Sequence, residues 1–223
     1  MLKLAVLISG GGSNLKALIE ATAHPGFPAK IVCVGADTDA AGLAYATDAG
    51  IQSFVVRPAD HPNRAAWGTA LAAAIREHDV DLVVSAGLMR ILPAGFVSEF
   101  SPGLINTHPA LLPLFPGAHA VRDALAAGAT ETGVTVHIID EGVDTGPVLR
   151  QATVAVRAGE TEAELHERIK QQERPLLVDT VRAIADGSLD LAAAASTAAS
   201  DATSTAATGT AASAPATKPA ATG

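Results

Sequence analysis

Met1-Leu2-Lys3-Leu4-Ala5-Val6-Leu7-Ile8-Ser9-Gly10-Gly11-Gly12-Ser13-Asn14-Leu15 reads as a strand that turns through three glycines into a helix. Its apolar part does not alternate with polar residues, the pattern of a strand covered on both faces. Similar runs recur at residues 30–36, 51–57 and 81–85, separated by helical stretches that start near Ser13, Ala40 and Asn63. That is the βαβ rhythm of a parallel sheet. Residues 103–107 add another buried strand. Residues 132–139 and 148–156 read as longer, more alternating strands joined by a loop containing Gly and Pro. The expected fold class is α/β: an open, mostly parallel twisted sheet with helices on both faces and mixed strands near the C-terminal end. Thr161 and Glu164 have capping-box spacing, so a last helix starts there and runs toward Gly187, with Pro175 expected to split or kink it.

Composition narrows the class of function. The 223 residues are 48% hydrophobic, enough for one sizeable core. The net charge is −8 and the pI about 5.3, with no run of Lys or Arg, so nothing offers a footprint for nucleic acid. The single Cys33 lies in an apolar stretch, which excludes an intramolecular disulfide and points to a buried thiol in a reducing, cytoplasmic setting. The apolar N-terminus resembles a secretion signal, but it runs into glycines and a helix pattern instead of a cleavage site. No stretch approaches the roughly 20 apolar residues of a membrane helix. From Leu191 onward 15 of 33 residues are Ala and 11 are Ser or Thr. The chain is therefore expected to divide into a catalytic domain, 1–189, and a disordered, dispensable tail, 190–223.

Three segments carry chemistry. Gly12, Ser13 and Asn14 open the first helix, where free N–H groups and the helix dipole favour an anion, here a phosphate. Ser13 and Asn14 can add side-chain hydrogen bonds while capping the helix, and the alternative is an ordinary tight turn with a good cap. The dinucleotide fingerprint fails at Leu15, although Asp37 and Asp39 after the second strand keep a nicotinamide reading open. Asn106 and His108 stand two apart at the end of a strand, so they point the same way and can aim at one oxygen. Taken singly they are an Asn closing a strand and a His entering a loop. The prolines at 109, 113 and 116 stiffen the segment that follows, at the edge where open α/β sheets bind ligands. Asp140, Glu141 and Asp144 are solvated loop charges or partners of that imidazole. A carboxylate reaching it favours the charged ring. His137 and Thr135 alternate inward on the preceding strand, His137 as a satisfied core residue or as a partner behind the pair. Met89, Arg90, Ile91 and Leu92 wall a pocket or pack in the core, and Arg64 is a solvated face residue or an anion partner. No zinc-like spacing of His, Cys and Asp occurs, so no metal is expected.

Taken together, the segments 8–15, 87–92, 106–113 and 140–146 resemble the phosphoribosylglycinamide formyltransferases, folate-dependent enzymes of purine biosynthesis. The resemblance covers about residues 2–188 and implies a Rossmann-like formyltransferase fold. It implies further that Gly12, Ser13, Asn14 and Glu173 hold glycinamide ribonucleotide. Met89, Arg90, Ile91 and Leu92 would hold 10-formyltetrahydrofolate, with Asp140, Glu141, Val143 and Asp144 beside it and Arg64 toward its glutamate end. Asn106, His108 and Asp144 would be the catalytic trio, with Asn106 also touching the folate and Thr135 and His137 supporting from behind. Leu114 departs from the polar or basic residue common at that position. The small-molecule partners follow from the resemblance, with no nucleic acid, no membrane, and a monomer or weak homodimer expected.

Rival readings exist. A 10-formyltetrahydrofolate hydrolase shares the folate site but usually carries an N-terminal regulatory domain, whereas Met1 here begins directly on a strand. A methionyl-tRNA formyltransferase needs a basic C-terminal domain, and this tail has only Lys218. A dehydrogenase is weakened by Leu15, and a binding module leaves Asn106, His108 and Asp144 without a purpose.

Overall fold

The computed structural model describes residues 1–197. Its centre is a seven-stranded sheet of β1 (Leu2–Ile8), β2 (Ala29–Ala36), β3 (Gln52–Val55), β4 (Leu82–Ser85), β5 (Leu104–His108), β6 (Glu131–Ile138) and β7 (Val148–Ala155), in the order β3-β2-β1-β4-β5-β6-β7. The first five strands pair in parallel, and β5 with β6 and β6 with β7 are antiparallel. This is the expected mostly parallel sheet with a mixed C-terminal end.

The uninterrupted apolar run of β1 is explained by two cores. Leu4, Val6 and Ile8 face one, shared with Leu15 and Leu18 of α1 (Ser13–Thr22) and Leu177 and Val181 of α6 (Glu162–Ala185). Ala5 and Leu7 face the other, shared with Trp67 and Leu71 of α3 (Arg64–Arg76) and Phe96 of α4 (Ala94–Phe100). Two further short helices are α2 (Leu43–Asp48) and α5 (Ala120–Ala126). Strand order reverses between β1 and β4, which opens the crevice where ligands of such sheets bind.

Side-chain caps set two helix starts as the sequence suggests. The Asn63 side chain accepts from Ala66 N–H at 2.9 Å, and Thr161 and Glu164 close a reciprocal capping box on α6. Three expectations change. The cap of α1 is Gly12, with φ 69°, and neither Ser13 nor Asn14 caps it. A side chain at Gly12 would also meet the Gly42 backbone at 2.9 Å, so glycine is required twice over there. Pro175 does not split α6, which runs as one helix. Pro removes one intrahelical hydrogen bond, and the buried stripe of Leu165, Ile169, Leu177 and Val181 carries the helix past it.

The third change concerns the tail. Residues 191–197 are helical, Asp190 accepts from Ala192 N–H and Ala193 N–H, and Leu191, Ala194 and Ala195 pack on the core. Disorder therefore does not begin at residue 190. An i, i+3, i+4 set of small apolar residues was enough to cover a patch that composition alone could not reveal. The rest of the expected tail, 198–223, lies outside the described residues. Among the described residues no helix is long and apolar enough to cross a membrane.

Candidate active site

Strand β5 ends in Asn106-Thr107-His108, and the antiparallel register sets Asn106 opposite His137 and His108 opposite Thr135. Each reacting candidate thus has a supporting residue across the ladder. His137, 2% exposed, brings Nε2 to 3.2 Å from Asn106 Nδ2. Its Nδ1 lies 2.9 Å from the Ile138 carbonyl, which can only accept, so Nδ1 carries the proton and Nε2 accepts from Asn106. His137 is an anchor for the amide and not a bystander in the core. Thr135 donates to the Ala110 carbonyl at 2.7 Å and accepts from Leu112 N–H at 3.0 Å, bracing the loop that leaves His108.

The loop after β6 folds back onto β5 and delivers Asp144. Its Oδ2 lies 3.3 Å from His108 Nδ1 and accepts from Gly117 N–H at 2.7 Å, and its Oδ1 lies 3.6 Å from His137 Nε2. Gly146 makes the return possible, because a Cβ there would sit 1.9 Å from the Ile138 carbonyl oxygen. Asp140 ties the same loop by accepting from Thr145 Oγ1 at 2.8 Å and Gly142 N–H at 3.1 Å. Burial pushes the Asp144 carboxyl up. The hydrogen bond from the Gly117 N–H and the attraction of nearby His108 outweigh that and hold it below the usual carboxylate range.

His108 is 4% exposed, and its other nitrogen, Nε2, lies 2.8 Å from the Phe115 carbonyl. Both ring nitrogens therefore face pure acceptors, a carboxylate and a carbonyl. A ring protonated at Nε2 donates to Phe115, and a second proton on Nδ1 would face Asp144. The Phe115 and Gly117 contacts were not foreseen from sequence. Their only signal was the bracket of Pro113, Pro116 and Gly117, which fixes backbone groups beside the imidazole.

These groups line one cavity of about 360 Å³. Met89, Arg90, Ile91, Leu92, Asn106, His108, Asp140, Val143 and Asp144 all border it, with His137 at its wall. Met89 and Ile91 are more than half exposed, so the rim offers apolar surface to a flat ligand. Glu141 and Arg64 do not border the cavity. Glu141 points outward on the loop, and Arg64 sits exposed at the start of α3.

Gly12, Ser13, Asn14 and Glu173 lie outside that cavity as well. Asn14 Nδ2 reaches Thr107 Oγ1 at 3.5 Å, while its buried Oδ1 has no partner. The first-turn amides of α1 have no intrahelical acceptor, which leaves them for an anion. Glu173 is 7% exposed on the buried side of α6, a helix that packs against α1. The dinucleotide reading fails on structure too: Asp37 pairs with Arg90 and Asp39 with Arg57, both at 2.5 Å, so neither carboxylate is kept for a ribose.

A mostly parallel sheet whose fifth strand ends in an amide and an imidazole, met by a carboxylate from the loop after β6, has the form of an acyl-transfer site. Residues 2–181 match the family described as formyl transferase, and the chain belongs to that family. Within it, similarity runs over most of the chain to the phosphoribosylglycinamide formyltransferases. That of Mycobacterium tuberculosis is 52% identical over 183 residues, 82% of this chain and 85% of the relative. The trifunctional purine biosynthetic protein adenosine-3 of Bos taurus is 42% identical over 190 residues, 85% of this chain and 19% of that much longer protein. The crystal structure of glycinamide ribonucleotide transformylase 1 from Symbiobacterium toebii superposes with a TM-score of 0.82 at 39% identity, covering 84% of this chain and 89% of that one. The relatives named as formyltransferase and transformylase do not favour the hydrolase reading.

Proposed function

We propose that this chain transfers the formyl group of 10-formyltetrahydrofolate to the amine of glycinamide ribonucleotide, giving formylglycinamide ribonucleotide and tetrahydrofolate in purine (IMP) synthesis. The observation that carries the reading is His108, fixed between Asp144 and the Phe115 carbonyl beside Asn106 in one cavity. The apolar rim of Met89, Ile91 and Val143 suits the pterin and its linker. The free N–H groups from Gly12 to Asn14 suit the ribonucleotide phosphate, with Glu173 on the adjoining helix for its sugar.

In this mechanism the substrate amine attacks the formyl carbon, and the carbonyl oxygen becomes an oxyanion. Asn106 Nδ2 has two hydrogens. One is held by His137, and the other meets the oxyanion. Protonated His108 supplies the positive charge, kept there by Asp144. Donors fixed where charge develops are worth about 2.7–4 kcal/mol each in comparable sites. The 3.3 Å contact between Asp144 and His108 is longer than a settled charge-assisted bond, and such contacts often tighten only when substrate is bound. The amine proton lost on attack passes through this network to the folate nitrogen as tetrahydrofolate leaves.

The test mixes the protein with 10-formyltetrahydrofolate and follows tetrahydrofolate release with and without glycinamide ribonucleotide. Release that requires the ribonucleotide supports the reading, and release independent of it favours the hydrolase. His108→Ala and Asp144→Ala are expected to slow turnover by orders of magnitude with little loss of folding.

A further inference from the structure

Asp37 directly follows β2 with its carboxylate 2% exposed, yet the proposed mechanism does not use it. Its Oδ2 accepts from Arg90 Nε at 2.5 Å, and its buried Oδ1 has no partner. A buried carboxylate with one oxygen unpaired is an expensive arrangement, more so than an apolar residue in the same place. Stability alone therefore does not account for it. Arg90 belongs to the segment after β4, which is also held to the loop after β1. Met89 N–H donates to Ser9 Oγ at 2.7 Å, and Ser9 N–H to the Gly87 carbonyl at 3.1 Å. The loop bearing Arg90 is thus pinned from two neighbours, by Ser9 through the backbone and by Asp37 through the side chain.

What Asp37 positions follows from the rest of the guanidinium. Arg90 is the single Lys or Arg among the residues bordering the cavity, and its side chain is 52% exposed. Asp37 engages Nε, and among the described residues the two terminal nitrogens have no hydrogen-bond partner. A guanidinium held by one edge presents the other as a planar fork, the geometry that takes a carboxylate with two parallel bonds. Across the same cavity Asp140 and Asp144 repel an anion, so a negatively charged group is directed to the Arg90 side.

We propose that Asp37 is a positioning residue which orients Arg90 to receive a carboxylate of the folate's glutamate tail, so that the pair selects for folates that carry one. The inference rests on the folate reading given above. Its test is binding, measured by isothermal titration calorimetry on the full chain with tetrahydrofolate and with tetrahydropteroate, which lacks the glutamate. The wild type is expected to favour tetrahydrofolate. Asp37→Asn should reduce that preference by roughly threefold to tenfold, the scale of one ordinary hydrogen bond, because the amide keeps an oxygen for Arg90 Nε–H and loses only the charge. Arg90→Lys, an exposed change that keeps the charge but loses Nε–H, should do the same. The double variant should lose no more than the larger single loss, since both act through one contact. An unchanged preference in Asp37→Asn and Arg90→Lys, additive losses, or a wild type that binds the two ligands equally would overturn the proposal. Failure to formylate glycinamide ribonucleotide would instead overturn the assigned acceptor, and the binding preference would still decide the role of Asp37.

Discussion

Asp144→Asn isolates charge from shape at the residue on which the site turns. The amide keeps the size of the side chain and can still offer an oxygen to Gly117 N–H, now 2.7 Å from Oδ2. It cannot balance an imidazolium 3.3 Å away. A hydrogen bond to a charged group contributes about 1.5–3 kcal/mol, so turnover should fall roughly 10- to 150-fold, measured as kcat for ribonucleotide-dependent tetrahydrofolate release. Stability supplies a second readout. The Asp144 carboxyl is held below its ordinary range in the fold, so at acid pH the unfolded chain binds more protons at this group than the folded one. Its contribution is complete above the unfolded value and disappears as pH falls through the folded one. Urea melts of the wild type should therefore weaken more steeply than those of Asp144→Asn below about pH 4. Turnover within twofold of wild type would refute the reasoning that Asp144 sustains the charge on His108.

Other outcomes follow from the same geometry. His137→Phe keeps bulk but removes the acceptor that holds Asn106, and kcat should fall roughly threefold to tenfold with a smaller change in KM. Gly146→Ala places a methyl 1.9 Å from the Ile138 carbonyl oxygen, so the loop must shift. A loss of about 1–3 kcal/mol in urea denaturation is expected, together with weakened turnover as Asp144 moves. A chain ended at residue 189 should be less stable than one ended at 197 by about 1–2 kcal/mol, because Leu191, Ala194 and Ala195 leave the core. Both should keep full specific activity, and equal stability would count against the docked segment.

The sheet was legible because its strands are uninterrupted apolar runs with turn residues between them, and the two-sided core of β1 explains why that pattern had to occur. Helices α4 and α5 were not legible. Each has seven residues, and neither Pro93 nor His119 makes a side-chain cap. At the site, sequence spacing aimed Asn106 and His108 the same way, but the partner of each depended on the β5–β6 register. That register is set by pairing across the sheet, so the role of His137 emerged only in three dimensions. The tie between Asp37 and Arg90 was hidden for the same reason: 53 residues separate them, and only the strand order brings the loops after β2 and β4 together. Arg64 and Glu141 show the opposite limit. Glu141 lies between Asp140 and Gly142, which border the cavity, yet it does not, and neither Arg64 nor its neighbours in α3 border it.

The central claim is that Asn106, His108 and Asp144 pass a formyl carbon to an amine and not to water. It is tested most directly by supplying 10-formyltetrahydrofolate labelled in the formyl carbon, together with glycinamide ribonucleotide, and finding where the label goes in a single turnover. Label in the ribonucleotide with the wild type, and almost none with His108→Ala, is the predicted result. Label released as formate, or transfer undiminished in His108→Ala, would contradict it.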